Sequence, residues 1–164
     1  MSRVRVIEIT AEDDRYGAAG EARRFAAALG FASREQARVA VCVAELASNV
    51  AKHAGRGRIE LSEVMPSAPL GSAPRIGCRV CALDDGPGIS AIDDSLRDGF
   101  SEGRFLTPDT PARERRGLGA GLGAVVRLMS EVTVVSPPGG GVVVEAVLWG
   151  TPEQSQEKSK CSKT

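Results

Sequence analysis

The hydrophobic period of this chain changes in a fixed order along its length, and that order restricts how it can fold. RVRVIEI (3–9) alternates apolar and polar residues as a half-buried strand does. AEDDRYGAAGEARRFAAALG follows as a helix, acidic at its start and closed by Gly30. SREQ, from Ser33, is a capping-box pattern in which Ser33 and Gln36 satisfy backbone groups reciprocally. The second helix is expected to run from there to about His53, where GRG (55–57) stops it. RIELSEV (58–64) and RIGCRVCAL (75–83) are strands on either side of the flexible loop PSAPLGSAP (66–74). GLGAGLG (117–123) opens the helix AVVRLMSEV, and TVVSPPGGGVVVEAVLW makes strand, turn and strand. Strand, helix, helix, two strands, helix, two strands predict an α/β, or α+β, sandwich: a mixed, mostly antiparallel sheet with helices on one face.

The 164 residues suffice for one domain, set at 1–150, while the polar tail TPEQSQEKSKCSKT (151–164) has too little apolar surface to fold. Residues 90–116 show no clean period and read as a lid over a site, with Arg113, Arg115 and Arg116 beside the glycine-rich stretch. Lys and Arg (21) balance Asp and Glu (21), so no electrostatic hold on nucleic acid or an anionic membrane is expected. Aromatic content of 4% leaves little for stacking bases. No apolar run reaches the length of a membrane span and MSRVRVIEIT carries charge throughout, so the expected location is cytoplasmic. Cys78 and Cys81 spell CxxC within a strand, where residues three apart face opposite ways, so free, buried thiols are expected in place of a metal site or disulfide.

Three stretches carry chemistry. In AELASNVAKHAG (44–55), Glu45, Asn49 and Lys52 fall within roughly 40° of one another on a helix of about 100° per residue, with His53 beside them. All four can reach one site, where an amide oxygen suits Mg²⁺ and a carboxylate can take a proton; alone, the stripe also reads as a solvated helix face. In DDGPGI (84–89), period two carries the inward face of the preceding strand to Asp84, and Gly86 and Gly88 permit close backbone approach; a plain Gly-Pro turn would look the same. GLGAGLGAVVRLM leaves free N–H groups at a helix start, a seat for phosphate, although small residues also serve helix packing.

In this order the three stretches resemble the N, G1 and G2 boxes of the GHKL (Bergerat-fold) ATPases and kinases, over residues of about 33–149. AELASNVAKHAGRG, DDGPGI and RRGLGAGLGAVVRLMSE are most similar to the RsbT-type serine-protein kinases, relatives of the anti-sigma-factor kinases. The resemblance implies a Bergerat fold with an ATP lid, and ATP with Mg²⁺ as its cofactors. By position it implies Glu45 as general base, Asn49 as Mg²⁺ ligand, Lys52 as a phosphate contact and Asp84 as acceptor for the adenine amino group. Gly86 and Gly88 would line the base pocket; Gly117, Gly119, Gly121 and Leu122 would wrap the phosphates; His53 matches a His of this kinase group.

The implied activity is ATP-dependent protein-serine/threonine kinase, with a STAS-domain antagonist or scaffold as phosphoacceptor and a PP2C-type phosphatase engaged on release. FLTPDTPARERR lengthens the lid relative to the RsbT pattern, and the dimerisation domain of histidine kinases has no counterpart. Two rivals stand beside this reading: an anti-sigma factor with kinase activity that holds a sigma factor, and a nucleotide-gated binding module without turnover.

Overall fold

A computed structural model of the protein describes residues 3–66, 75–89, 100–101, 104–105 and 121–150. The lid at 90–116 falls almost wholly outside the described residues, as do Gly117, Gly119 and the tail at 151–164. Strand β1 (Val4–Ile9) leads into helix α1 (Asp14–Ala28) and helix α2 (Ser33–Asn49), which continues as one turn of π-helix, Val50–Ala54. Strands β2 (Gly57–Val64) and β3 (Ile76–Asp84) follow, then two-residue strands β4 (Phe100–Ser101) and β5 (Arg104–Phe105). Helix α3 (Gly121–Leu128) precedes strands β6 (Glu131–Val135) and β7 (Val142–Gly150).

The main sheet runs β1-β2-β3-β7-β6, and the sheet expected to be mixed is antiparallel at each of its pairings. Alternation decides which face is covered. Ile59 and Leu61 of β2, Val80 and Ala82 of β3, and Val144 and Ala146 of β7 line up in register and are buried under the helices. From α2 they meet Val39, Cys42, Val43, Leu46 and Val50, each no more than 2% exposed. Burying a Leu, Ile or Val side chain is worth about 1.5–3 kcal/mol, so this interface dominates the favourable side of folding. The opposite face is polar at its centre, where Arg79 pairs with Glu145 and Arg58 with Glu60.

Helix ends follow local chemistry. Gly30 closes α1 at φ 85°, and its N–H reaches Ala27 O while Phe31 N–H reaches Ala26 O, the two bonds of a Schellman motif. At the start of α2 the capping differs from the expected Ser33–Gln36 pair. Ala32 is the N-cap; its N–H donates to Glu35 Oε2 at 3.0 Å, and Gln36 Nε2 donates to Phe31 O at 2.7 Å. The helix begins one residue earlier in capping register, which leaves the Ser33 side chain in the first turn, outside the cap. The cysteines behave as expected for the three described: Cys42, Cys78 and Cys81 are free and buried, and burial pushes the Cys78 thiol up to about 12. Cys161 lies outside the described residues.

Gly57 joins these layers. A Cβ there would strike the Leu83 carbonyl oxygen and lie 2.7 Å from Val50 Cγ1 and 3.1 Å from Asp84 Cβ. Gly57→Ala should therefore destabilise the fold by about 1–3 kcal/mol, as overpacking does, read as a lower midpoint in urea at unchanged slope. An unchanged midpoint would show that this junction has slack.

Candidate functional site

Glu45 lies on the flank of α2 beside the apolar face, on the side of Arg38 that meets α3, and is 8% exposed. Its carboxylate accepts the N–H of Gly121, the first residue of α3, where helical N–H groups have no partner within the helix. Burial holds the Glu45 carboxyl above its ordinary value, while Lys52, Arg15 and the Gly121 N–H pull the other way. α3 is fixed against α2 from its far end as well, by Arg38 Nε donating to Leu128 O at 2.8 Å.

Beyond Asn49 the helix widens. The expectation of an unbroken α-helix to His53 is corrected here: Val50–Ala54 forms a π turn, with Gly55 N–H bonded to Val50 O at 3.0 Å and Gly55 at φ 78°. A π turn spends one more residue per turn, so the side chains after Asn49 are set back from their α-helical directions. Lys52 is turned toward α1, with its Nζ 3.7 Å from Glu12 Oε1. His53 is exposed on the same turn, and among the described residues no hydrogen bond or ion pair holds it.

Asp84 ends β3 opposite Gly57 and Val142. It is half-buried, whereas Asp85 is exposed, as strand alternation anticipated. Asp84 Oδ1 accepts Gly86 N–H at 2.9 Å, and among the described residues no donor reaches its second oxygen. Gly86 packs so tightly on the π turn that a Cβ would sit 2.8 Å from Ala54 Cβ. The same loop is gripped from behind by the β6–β7 turn. Gly141 N–H donates to Gly86 O at 2.6 Å, Ile89 N–H donates to Ser136 Oγ at 2.8 Å, and Ser136 Oγ donates to Gly141 O at 3.1 Å. Gly88, at φ 86°, comes so near that a Cβ would meet Ser136 Oγ at 2.7 Å.

The structure thus brings Glu45 to Gly121, with the buried Leu122 next along α3, sets Lys52 against Glu12, and ties Asp84 and Gly86 to the end of the π turn, with Gly88 held at Ser136. Asn49 is half-buried at the last position of α2, between these groups in the chain. Ser136 and Gly141 were read from sequence only as a turn, although three successive glycines after two prolines exceed what a hairpin requires. Glu12 and Arg15 were read only as parts of an acidic helix start, and nothing in AEDDR announces a contact with residue 52.

A family model described as the histidine kinase-like ATPase domain matches residues 9–147. Serine/threonine-protein kinase RsbT of Bacillus subtilis (strain 168) is 34% identical over 143 residues, covering 87% of this chain and 94% of that protein. Among solved structures, the SiaB–SiaC complex from Pseudomonas aeruginosa aligns with a TM-score of 0.45 and 12% identity over 89% of each chain. The histidine kinase domain of the E. coli osmosensor EnvZ aligns with a TM-score of 0.39 and 22% identity, over 87% of this chain and 86% of that one.

The raised Glu45 carboxyl has a consequence for stability. Folding favours its protonated form, so wild-type stability is fully present below the ordinary value of 4.5 and falls as pH rises through the higher folded value. Glutamine cannot ionise and keeps an oxygen for the Gly121 N–H. Glu45→Gln should therefore melt above the wild type at about pH 8, with the gap closing as pH approaches 4.5. Parallel melting curves across that pH range would contradict the assignment.

Proposed function

The chain belongs to the histidine kinase-like ATPase family, among its RsbT-type serine/threonine-protein kinases, and from that premise we propose that it phosphorylates a regulator of sigma-factor signalling. The proposed reaction moves the γ-phosphoryl group of ATP to a serine or threonine of a STAS-domain partner. The observation that carries it is Glu45, a carboxylate buried against the first N–H of α3, at one end of a site whose other end presents the half-satisfied Asp84.

Each described residue then has a task. Asp84 keeps one oxygen engaged with Gly86 N–H and offers the other to the adenine amino group, an acceptor-to-donor match that guanine, with a carbonyl at that position, does not provide. Gly86 and Gly88 would line the base pocket through their backbone, since their missing side chains let the loop seat closely on Ala54 and Ser136, and the Ser136–Gly141 turn keeps that loop in place. Gly121 and Leu122 begin α3, whose free N–H groups and dipole favour phosphate; Gly117 and Gly119, outside the described residues, would extend that cradle. Lys52 adds a point charge toward the phosphates, and His53 flanks it on the same turn. Glu45 takes the proton of the acceptor hydroxyl as its oxygen attacks phosphorus and ADP departs.

The donor set fits Mg²⁺ only as an ion shared with phosphate. Among the described residues no three His, Cys, Asp or Glu side chains converge as a metal cage, so the Asn49 amide oxygen would hold it while the triphosphate completes the shell. When bound, the ion supplies neutralisation of phosphate charge. The fold proposed for this work is the single unit 1–150, and among the described residues no helix is long and apolar enough to cross a membrane. The likeness to RsbT also extends the proposal to a PP2C-type phosphatase engaged once the partner is released.

Two measurements test the reading. By calorimetry, Asp84→Asn should weaken ATP binding by roughly tenfold or more, the worth of a hydrogen bond to a charged acceptor, and the wild type should prefer ATP to GTP. Equal binding of the two nucleotides would remove Asp84 from the base pocket. In a radiolabel transfer assay with the native STAS partner, Asn49→Ala should lose Mg-ATP binding and transfer together. Glu45→Gln should keep binding while transfer falls by about 10²–10⁴-fold. A wild type that binds ATP but labels no partner would establish the binding-module alternative.

A further inference from the structure

Between the start of α1 and the π turn lies a group of charges of which only Lys52 has been given a role so far. Asp14 Oδ2 accepts Thr10 N–H at 2.8 Å, Ala11 N–H at 2.9 Å and the Thr10 hydroxyl at 3.1 Å, which pins the turn that carries Glu12. Glu12 Oε1 in turn receives Arg15 Nη1 at 3.3 Å and lies 3.7 Å from Lys52 Nζ. One carboxylate oxygen therefore holds two cations brought from different parts of the chain. Tyr16 fixes the direction of Arg15: Nη2 donates to the phenol oxygen at 2.8 Å, and the guanidinium carbon sits 4.7 Å from the ring centroid. The Arg15 and Lys52 side chains are only 24% and 23% exposed, while Glu12 is 52% exposed.

The chemistry of the transfer says what such a pair is for. A general base must lie within hydrogen-bond reach of the hydroxyl it deprotonates, and that hydroxyl oxygen must stand about 3–3.5 Å from the phosphorus it attacks. Lys52 stands on the π turn three residues past Asn49, the residue proposed to hold the shared ion, and Glu12 Oε1 brings the Arg15 guanidinium beside it, so the two cations reach the same phosphate. Their present partner is a solvent-exposed carboxylate, a weak holder because water screens it. A terminal phosphate brings more charge and a planar match for guanidinium.

We propose that Arg15 and Lys52 together form the γ-phosphate-binding pair on the acceptor side of the nucleotide site, and that Glu12 holds both cations in the nucleotide-free protein and yields them to the phosphate. This rests on the proposed binding of Mg-ATP between Glu45 and Asp84, and it adds a contact, Arg15, that tells a triphosphate from a diphosphate.

Calorimetry with ADP and with a non-hydrolysable ATP analogue, both with Mg²⁺, tests it on four proteins: wild type, Arg15→Ala, Arg15→Lys and Glu12→Gln. Arg15→Ala should weaken the analogue roughly tenfold while leaving ADP within about twofold, because only the γ-phosphate meets the guanidinium. Arg15→Lys should recover part of the loss, since it keeps charge without the fork. Glu12→Gln should tighten the analogue by removing the competing anion, again with little change for ADP. A purely structural Arg15 would move both nucleotides alike, and equal losses, or none, would overturn the proposal. Should Arg15→Ala fail to fold, the analogue-to-ADP ratios of Arg15→Lys and Glu12→Gln decide between the same two outcomes. A wild type that bound neither nucleotide would overturn the parent reading and this one with it.

Discussion

The apolar contact between α2 and the sheet is the constraint from which the site follows. Cys42, Val43, Leu46 and Val50 face Ile59, Leu61 and Val80, which sets Glu45 on the flank of the helix that α3 covers. Helix packing thus places a carboxylate where it is poorly solvated, and the first N–H of α3 offsets part of that cost. The arrangement is costly for stability, and such costs are borne where a group has work to do.

The other end of the site is held by backbone, with few side chains involved. The strand β3 delivers Asp84, Gly86 rests on Ala54 of the π turn, and the glycines of the β6–β7 turn press against the loop from the far side. Three segments far apart in the chain therefore meet within contact distance, and at Gly86, Gly140 and Gly141 an added Cβ would crowd its neighbour. Such contacts fix the distance between the proposed base-binding and phosphate-binding ends more firmly than side chains with free rotamers could.

Much of this was legible in the residues. Ile59 and Leu61 alternate with Arg58, Glu60 and Ser62, the in-register Val80 and Ala82 share their face, and period two places both the strands and Asp84. What stayed illegible differs from the visible by a single residue or by tertiary distance. An α turn and a π turn have no separate sequence signature at VAKHA, and the capping register at Ala32 is one position away from the pattern SREQ suggests. Two-residue strands such as β4 and β5 are too short to show a period. The pairing of Glu12 with Lys52 joins residues forty apart, and no local rule connects them.

The strand order carries a consequence for the order of assembly. β3 lies between β2 and β7, so one side of its ladder is paired as soon as β2 and β3 exist, while the other waits for a strand that begins only at Val142. On the ribosome, helices α1, α2 and α3 and the other four strands of the main sheet emerge before that partner does. During this interval the free edge of β3 presents unpaired N–H and C=O groups along nine residues, Ile76–Asp84, the kind of edge on which a second nascent chain or a chaperone can add a strand. The loop after Asp84 also lacks its glycine brace until the β6–β7 turn has been made. The nucleotide site is accordingly the last part of the molecule to mature, and a chain stalled before β7 would carry Glu45 and Asn49 without the means to use them.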